Sequence, residues 1–444
     1  MGRCAVSTQK QKRPFALRAL AAFAGTLAIL FVLLLAAYAL PGERVRQHVY
    51  DSARTIQNEG LYPEYLGFKL FQMDNYTDTL MLFEAASADE LPPLQAMMTN
   101  TAYNVDNFET LADDLAWYIE KDRSTGAQRT DAPALEPFSY ARYWHGYLIW
   151  LRPLLLLMPY TGVRIVQYIV LFSLLAVVLV QLRRRCGLRA AVWFAVSQLA
   201  VSVWFVPHQV QYFTCFMIAY AGCAWVLAKP RRSDVLCLGL LVLGTATAFC
   251  DLLVTPIITL GLPLTCWLLE PQQRLRGGVP QCALAVGGSL CWGTGYALCW
   301  AGKWALAGAV TGNNVLADAL HQAEVRTTAD TWHGMELTWR NIFGFLYDTL
   351  NSHHLFWPAL AVLAVLIALF VLSIRSKTAL VRALPLALTT CMTPAWFVLL
   401  RTHSIQHGWF TWRALGLTVF AGLAFLYYAC DLRAARRRLQ KGSI

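Results

Sequence analysis

Apolar residues along this chain fall into long blocks, without the alternation that marks a half-buried strand or a water-facing helix. The blocks run over residues 15–40, 161–182, 189–206, 210–228, 235–250, 253–269, 280–301, 355–374, 380–400 and 412–430. Most approach the ~20 residues that a helix needs to cross a hydrocarbon core. The pattern therefore predicts an all-α polytopic membrane protein with about ten transmembrane helices. The first block is too long for the apolar region of a signal peptide and is expected to be a retained span. The short blocks at 235–250 and 253–269 form a tight pair around Asp251.

Two long polar segments separate these blocks and set the expected domain plan. Residues 1–40 are a tail and first span, 41–160 a first loop with amphipathic helices, and 161–301 a helical bundle. Residues 302–354 are a second loop, 355–430 the C-terminal spans, and 431–444 a basic tail. In the first loop a helical period appears. Val45, Val49, Ser52 and Ile56 predict a helix over 43–58 along the membrane surface, closed by Asn58-Glu59-Gly60. Leu66, Leu70, Met73, Thr77 and Leu80 predict a second helix, flanked by Asp74 and Asp78. Pro92-Pro93 breaks the chain, 105–121 predicts a third, acidic helix, and 124–137 reads as a linker. Asn75-Tyr76-Thr77 matches a glycosylation sequon, a pattern short enough to recur by chance.

Composition agrees with this class: 57% of residues are hydrophobic and 14% charged, against about 45–50% and about 25% in soluble domains. The formal charge of +11 does not indicate a nucleic-acid partner, because the basic residues sit in short connections between apolar blocks. One set of connections carries Arg183 to Arg185, Lys229, Arg231, Arg232, Arg274, Arg276, Arg375 and Lys377; the turns around Pro207 and Asp251 carry none. The excess of cations on the cytoplasmic side predicts a cell (plasma) membrane protein with both termini cytoplasmic and both long loops extracytoplasmic. That arrangement needs an even number of spans, as ten is. The first loop, 41–145, holds 17 of the 26 acidic residues. Most of the twelve cysteines lie in or beside apolar blocks, without Cys-x-x-Cys spacing, and read as small apolar side chains. Gly287, Gly288, Gly293 and Gly295 predict a small-residue face for close helix packing.

Candidate chemistry gathers on the expected outer side. On a helix Asp74 and Asp78 would share one face and repel unless a proton, a divalent cation or another positive group intervened; the alternative is a solvated acidic face. In Tyr140–Pro153 a helix would place Arg142, His145 and Arg152 in one arc bounded by Tyr143, Trp144, Tyr147 and Trp150. Such an arc suits a lipid-borne phosphate, which arginine grips in bidentate fashion; the alternative is an interfacial helix with snorkelling cations. In Arg401–Arg413, His403 and His407 have metal-ligand spacing but no His-Glu-x-x-His motif, so metal contact, phosphate contact and a plain turn all remain open. Asp251 and Lys303, next to apolar blocks, are further candidates, because desolvating a charge there demands a partner or a function.

This pattern resembles the GT-C superfamily of polytopic glycosyltransferases: a cytoplasmic N-terminus, one span, then an acidic motif, Met73-Asp74-Asn75-Tyr76-Thr77-Asp78, in a large first outer loop. The resemblance implies a polyprenyl-phosphate-linked sugar as donor and Asp74 as the first-loop acid. Asp74 stands more than thirty residues beyond the first span, farther than in many members. The expected activity is inverting transfer to an acceptor hydroxyl on an extracytoplasmic glycan, lipid or protein. Asp74 would be base and Asp78 its modulator or a cation holder. Arg142, His145, Arg152 and Arg413, with His403 and His407, would face the leaving phosphate. A nucleotide-sugar donor fits less well, since no Gly-rich phosphate loop is present. The rival readings are a transporter or flippase of lipid-linked substrates and a structural subunit of an envelope assembly. A transporter would place its polar residues near the bilayer midplane, often in repeated halves, and neither feature is visible.

Overall fold

The computed structural model describes residues 14–88, 90–104, 136–276, 278–327, 331–332, 334–351 and 354–431. The expected acidic helix over 105–121, most of the linker and the basic tail lie outside them. The chain folds into helices α1 (Phe15–Tyr38), α2 (Gly42–Glu59), α3 (Asn75–Ser87), α4 (Pro93–Thr99), α5 (Leu148–Leu155), α6 (Tyr160–Cys186), α7 (Leu188–Ala200) and α8 (Val210–Ala228). Helices α9 (Ser233–Cys250), α10 (Ile257–Leu268), α11 (Gly278–Thr311), α12 (Val315–Thr327), α13 (Phe356–Ser373), α14 (Lys377–Leu399), α15 (Arg401–Thr411) and α16 (Leu415–Ala429) follow. Shorter helical pieces include Pro271–Leu275.

Among the described residues, eight helical segments are long and apolar enough to cross a membrane: α1, α6, α8, α9, α11, α13, α14 and the run Arg401–Ala429 that joins α15 to α16. Helices α7 and α10 are apolar but shorter. Every apolar block is thus helical. The protein is an all-α multi-pass membrane protein apart from two small antiparallel sheets, β1 (Thr101–Asn104) with β2 (Glu136–Ser139) and β3 (Thr331–Trp332) with β4 (Met335–Glu336). The first sheet shows that the end of the expected linker is a strand, whose register pairs Thr101 with Ser139.

Helices α8 and α10 form the centre. Most of α8 is inside the protein, and every residue of α10 is buried. By contrast α1 and α13 are exposed along nearly their whole lengths, as lipid-facing helices must be. Helices α9 and α11 touch backbone to backbone. A Cβ added at Gly244 would lie 2.1 Å from the Trp292 carbonyl oxygen, and one at Gly295 2.2 Å from that of Leu241. Of the four glycines expected to make a packing face, Gly288 and Gly295 face α9, while Gly287 and Gly293 face open space.

The bundle has two chemically distinct ends. At one, the basic connections meet: Arg18 pairs with Asp234 (3.0 Å), Arg185 with Glu270 (2.8 Å), and Arg274 donates to the Tyr428 hydroxyl (2.5 Å). At the other, α2, α3 and α15 pack over the starts of α6, α8 and α16. The stripe of α2 (Val45, Val49, Ser52, Ile56) is buried against α3, α5 and α6, so it faces protein rather than a membrane surface.

Candidate functional site

The Asp74–Asp78 segment departs from the expected helix. Leu66 takes φ +57° and Gly67 φ +68°, and residues 65–71 form two 3-10 turns. Helix α3 begins only at Asn75, with Asp74 as its N-cap. Asp74 Oδ1 accepts the Thr77 N–H (3.0 Å); Oδ2 accepts the Thr77 hydroxyl (2.7 Å) and the Gln211 side-chain amide (2.7 Å). Asp78, one turn on, accepts the Val210 N–H (3.0 Å), the Gln211 N–H (3.3 Å) and the Tyr160 hydroxyl. Those backbone groups are the unsatisfied first donors of α8, and a carboxylate suits their partial positive charge. Asp74 thus caps α3 and Asp78 lies one turn on; both meet Gln211 at the start of α8. Their partners among the described residues are hydrogen-bond donors, and of the expected means of relieving their repulsion the raised Asp78 carboxyl favours a proton. Burial raises both carboxyls, Asp78 to about 8, while the Val210 N–H and Arg164 pull Asp78 down and Thr77 and Gln211 pull Asp74 down.

Around them stands a network that no sequence motif announced. Arg164 grips Glu59 with two bonds (2.6 and 2.9 Å) and donates to the His208 carbonyl (2.9 Å). Asn75 donates to Glu59 (3.1 Å) and the Gly60 carbonyl (2.7 Å) and accepts from Gln209 (2.8 Å). Asn75 is fully buried, which rules the sequon out as a glycan acceptor in the folded protein. Burial and the nearby Arg164 lower His208 to about 4. Arg413 joins this group: it stacks on Tyr212 at 4.5 Å and reaches toward the Leu70 and Gln72 carbonyls (3.4 and 3.5 Å). The signal that sequence reading passed over was Arg164, a charge just inside an apolar block.

A second group surrounds a cavity of about 150 Å³ between α11, α12 and α14. Its walls are Tyr143, Tyr296, Trp300, Trp304 and Trp396; Arg142 and Arg326 also line it, while the surface it presents is almost wholly apolar. Arg142 pairs with Asp318 (3.2 Å) and stacks on Tyr140 (4.5 Å). Arg326 bonds only Gln322 of its own helix (3.1 and 3.3 Å), with no carboxylate partner among the described residues. The Tyr296 hydroxyl and the Trp300 N–H are buried without hydrogen-bond partners among the described residues. Asp251 lies behind this wall. Its Oδ1 accepts the Val254 N–H (3.2 Å), while no hydrogen bond reaches Oδ2 among the described residues. Burial raises Asp251 to about 6, with the Cys215 thiol and the turn's N–H groups opposing. Leu253, at φ +68°, gives its carbonyl to His403 Nε2 (2.9 Å). His403 and His407 do lie on one helix, α15, with ring centroids 4.7 Å apart. Among the described residues no three His, Cys, Asp or Glu side chains converge as a metal-binding set.

The third group is centred on Glu84. Its carboxylate faces His145 Nδ1 (2.7 Å), accepts from the Tyr147 and Tyr38 hydroxyls and accepts from Asn100 (2.9 Å). Lys303 donates to Asn100 Oδ1 (2.5 Å) and the Met97 carbonyl (2.7 Å). Arg152 is fully buried close by and caps the end of α1 through the Leu40 carbonyl (2.9 Å). The expected arc of Arg142, His145 and Arg152 does not form. His145 takes φ +55°, helix α5 starts only at Leu148, and the turn sends Arg142 to the cavity, His145 to Glu84 and Arg152 to the Leu40 carbonyl.

The candidate residues thus occupy three neighbouring groups at one end of the bundle instead of a single cavity. Helix α15 links two of them. His403 sits by the second group, while Trp409 packs on Tyr62 (5.7 Å) and Phe410 on Tyr212 (5.8 Å) in the first. Six to seven residues at 1.5 Å each separate them, roughly 10 Å. The chain matches no protein-family model, no curated protein and no solved structure.

Proposed function

We propose that this protein is a membrane glycosyltransferase that moves a sugar from a polyprenyl phosphate to an acceptor hydroxyl. In this reading the chain crosses the plasma membrane ten times, with both termini at the basic, cytoplasmic end. The carrying observation is the cavity under Arg142 and Arg326. Arg142 is paired with Asp318, but Arg326 has no carboxylate partner among the described residues, and an anion beside it would supply one. Five aromatic walls beside the arginines supply flat faces for a sugar ring and an apolar route for an isoprenoid chain. The guanidiniums would hold the donor phosphate and offset the charge that builds on it as the glycosidic bond breaks.

A base must take the proton of the attacking hydroxyl. Asp74 has the motif, but three hydrogen bonds hold it and it lies beyond α15 from the cavity. Asp251 lies behind the cavity wall, two residues from the lining residue Leu253, and its carboxyl is raised to about 6, a value suited to accepting a proton near neutrality. We assign Asp251 the base role and Asp74 the placing of α3 against α8.

The test is transfer of labelled sugar from polyprenyl phosphate by protein reconstituted in vesicles. Asp251→Asn should reduce turnover by about 10²-fold or more, the usual contribution of a general base. Arg142→Gln with Arg326→Gln should raise the donor KM. Asp74→Asn should keep most activity, since Asn caps helices nearly as well as Asp. Loss with Asp74→Asn and retention with Asp251→Asn would return the base role to Asp74. Donor binding and transfer unaffected by the arginine pair would sink the transferase reading.

A further inference from the structure

The basic end of the bundle holds a larger cavity, about 500 Å³, that the glycosyl-transfer reading leaves unused. It lies between the connection after α10 and the first turns of α14. Arg274, Arg375 and Arg382 line it. None of the three forms an ion pair among the described residues. Glu270, just before Pro271 of the lining, is already taken by Arg185 (2.8 Å). Arg274 is oriented by the Tyr428 hydroxyl (2.5 Å) and ring (4.9 Å), and its Nε is buried with no hydrogen-bond partner among the described residues. Three guanidiniums line one space with no carboxylate paired to them among the described residues, one of them fixed in place by Tyr428, an arrangement that suits an anion of more than one oxygen.

The rest of the lining says what carries that anion. Moving inward along α14, Arg382 gives way to Ala383, Pro385 and Leu386, and Leu268 of α10 joins them. The cavity therefore grades from charged to apolar within about one helical turn, on the scale of a lipid headgroup and the start of its chains. Beside it α14 turns Val381, Leu384 and Leu388 outward, an exposed apolar flank through which a lipid can enter. A soluble phosphate has no use for that apolar floor.

We propose that this cavity binds the phosphate of an anionic lipid from the leaflet at the basic end, held by Arg274, Arg375 and Arg382. The site is independent of the sugar-transfer reading and stands or falls separately. Binding there would tie the connection after α10 to α14.

The experiment uses the full chain in detergent, exposed to phosphatidylglycerol, to phosphatidylcholine or to inorganic phosphate. Retained lipid is read by native mass spectrometry and stabilisation by thermal melting. Wild-type protein should retain phosphatidylglycerol and not phosphatidylcholine. Arg274→Gln with Arg382→Gln should weaken retention by about tenfold or more, as expected for lost charge-assisted bonds. If that variant melts early without lipid, Arg382→Lys serves: it keeps the charge and should still weaken retention, because lysine cannot form the bidentate grip. Equal retention of phosphatidylcholine, or unchanged retention in both variants, overturns the proposal. Stabilisation by inorganic phosphate equal to that by phosphatidylglycerol overturns the lipid assignment in favour of a soluble phosphate.

Discussion

Glu84 shows most clearly how a single residue here depends on its neighbours. Burial alone would raise its carboxyl, yet His145, Tyr147 and Asn100 outweigh that and lower it. A carboxyl lowered by folding stabilises the folded protein above its unfolded pKa, and that stabilisation is lost as pH falls through the folded value. Asp78 has the opposite sign: its raised carboxyl adds stability at low pH that is lost as pH rises toward about 8. The melting temperature should therefore show an acid-side decline below about pH 4 to which Glu84 contributes beside Glu59, whose carboxyl is lowered as well, and Asp234, which Arg18 pairs. Glu84→Gln should make that decline shallower and cost about 3 kcal/mol at neutral pH, because it leaves a buried network without its anion. Melting curves across pH check this; an unchanged acid slope in the variant would refute it. Glu84 was not legible in the sequence. It sits in α3 as one acid among the many of the first loop, and its partners come from residues 38, 100, 145 and 147.

For the elements, apolar blocks translated directly into helices because a backbone in hydrocarbon must bond to itself. Periodicity failed where a local turn intervened. The stripe from Leu66 to Leu80 continues through the sequence, but the positive φ of Leu66 and Gly67 turns the chain before α3 can start. A comparable break at His145 separates Arg142 from Arg152. Contact between α9 and α11 yields a sharp test in two glycines, Gly293 and Gly295, that lie two residues apart on α11. Gly295→Ala should destabilise by about 2 kcal/mol, since its Cβ would meet the Leu241 carbonyl at 2.2 Å. Gly293→Ala, with nothing within 4 Å, should be neutral or stabilising, as alanine favours helix. Equal melting temperatures for the two variants would contradict the packing described.

The whole molecule separates its charges. Cationic connections collect at one end, with Glu270 buried among them, and Asp74, Asp78 and Glu84 with their tyrosine, arginine and histidine neighbours at the other. Ser376, at the start of α14, and Asn314, after α11, are exposed at opposite ends. With the native cysteines replaced, and with the basic end cytoplasmic as proposed, Ser376→Cys should react with a membrane-impermeant thiol reagent only from the cytoplasmic side and Asn314→Cys only from the other. Labelling of both from one side would overturn the ten-span arrangement.

Sequence alone determined the class, the helix-forming blocks, the basic connections and the segment in which unusual acids occur, because each follows from local hydrophobicity and charge. Only the tertiary structure decided which polar groups meet. Asp78 serves α8, 132 residues away, and Glu84 serves His145. Arg142 and Arg326 share a cavity built by three helices from separate parts of the chain. Such partnerships depend on how helices cross in space, and no residue spacing along the chain encodes that crossing by itself.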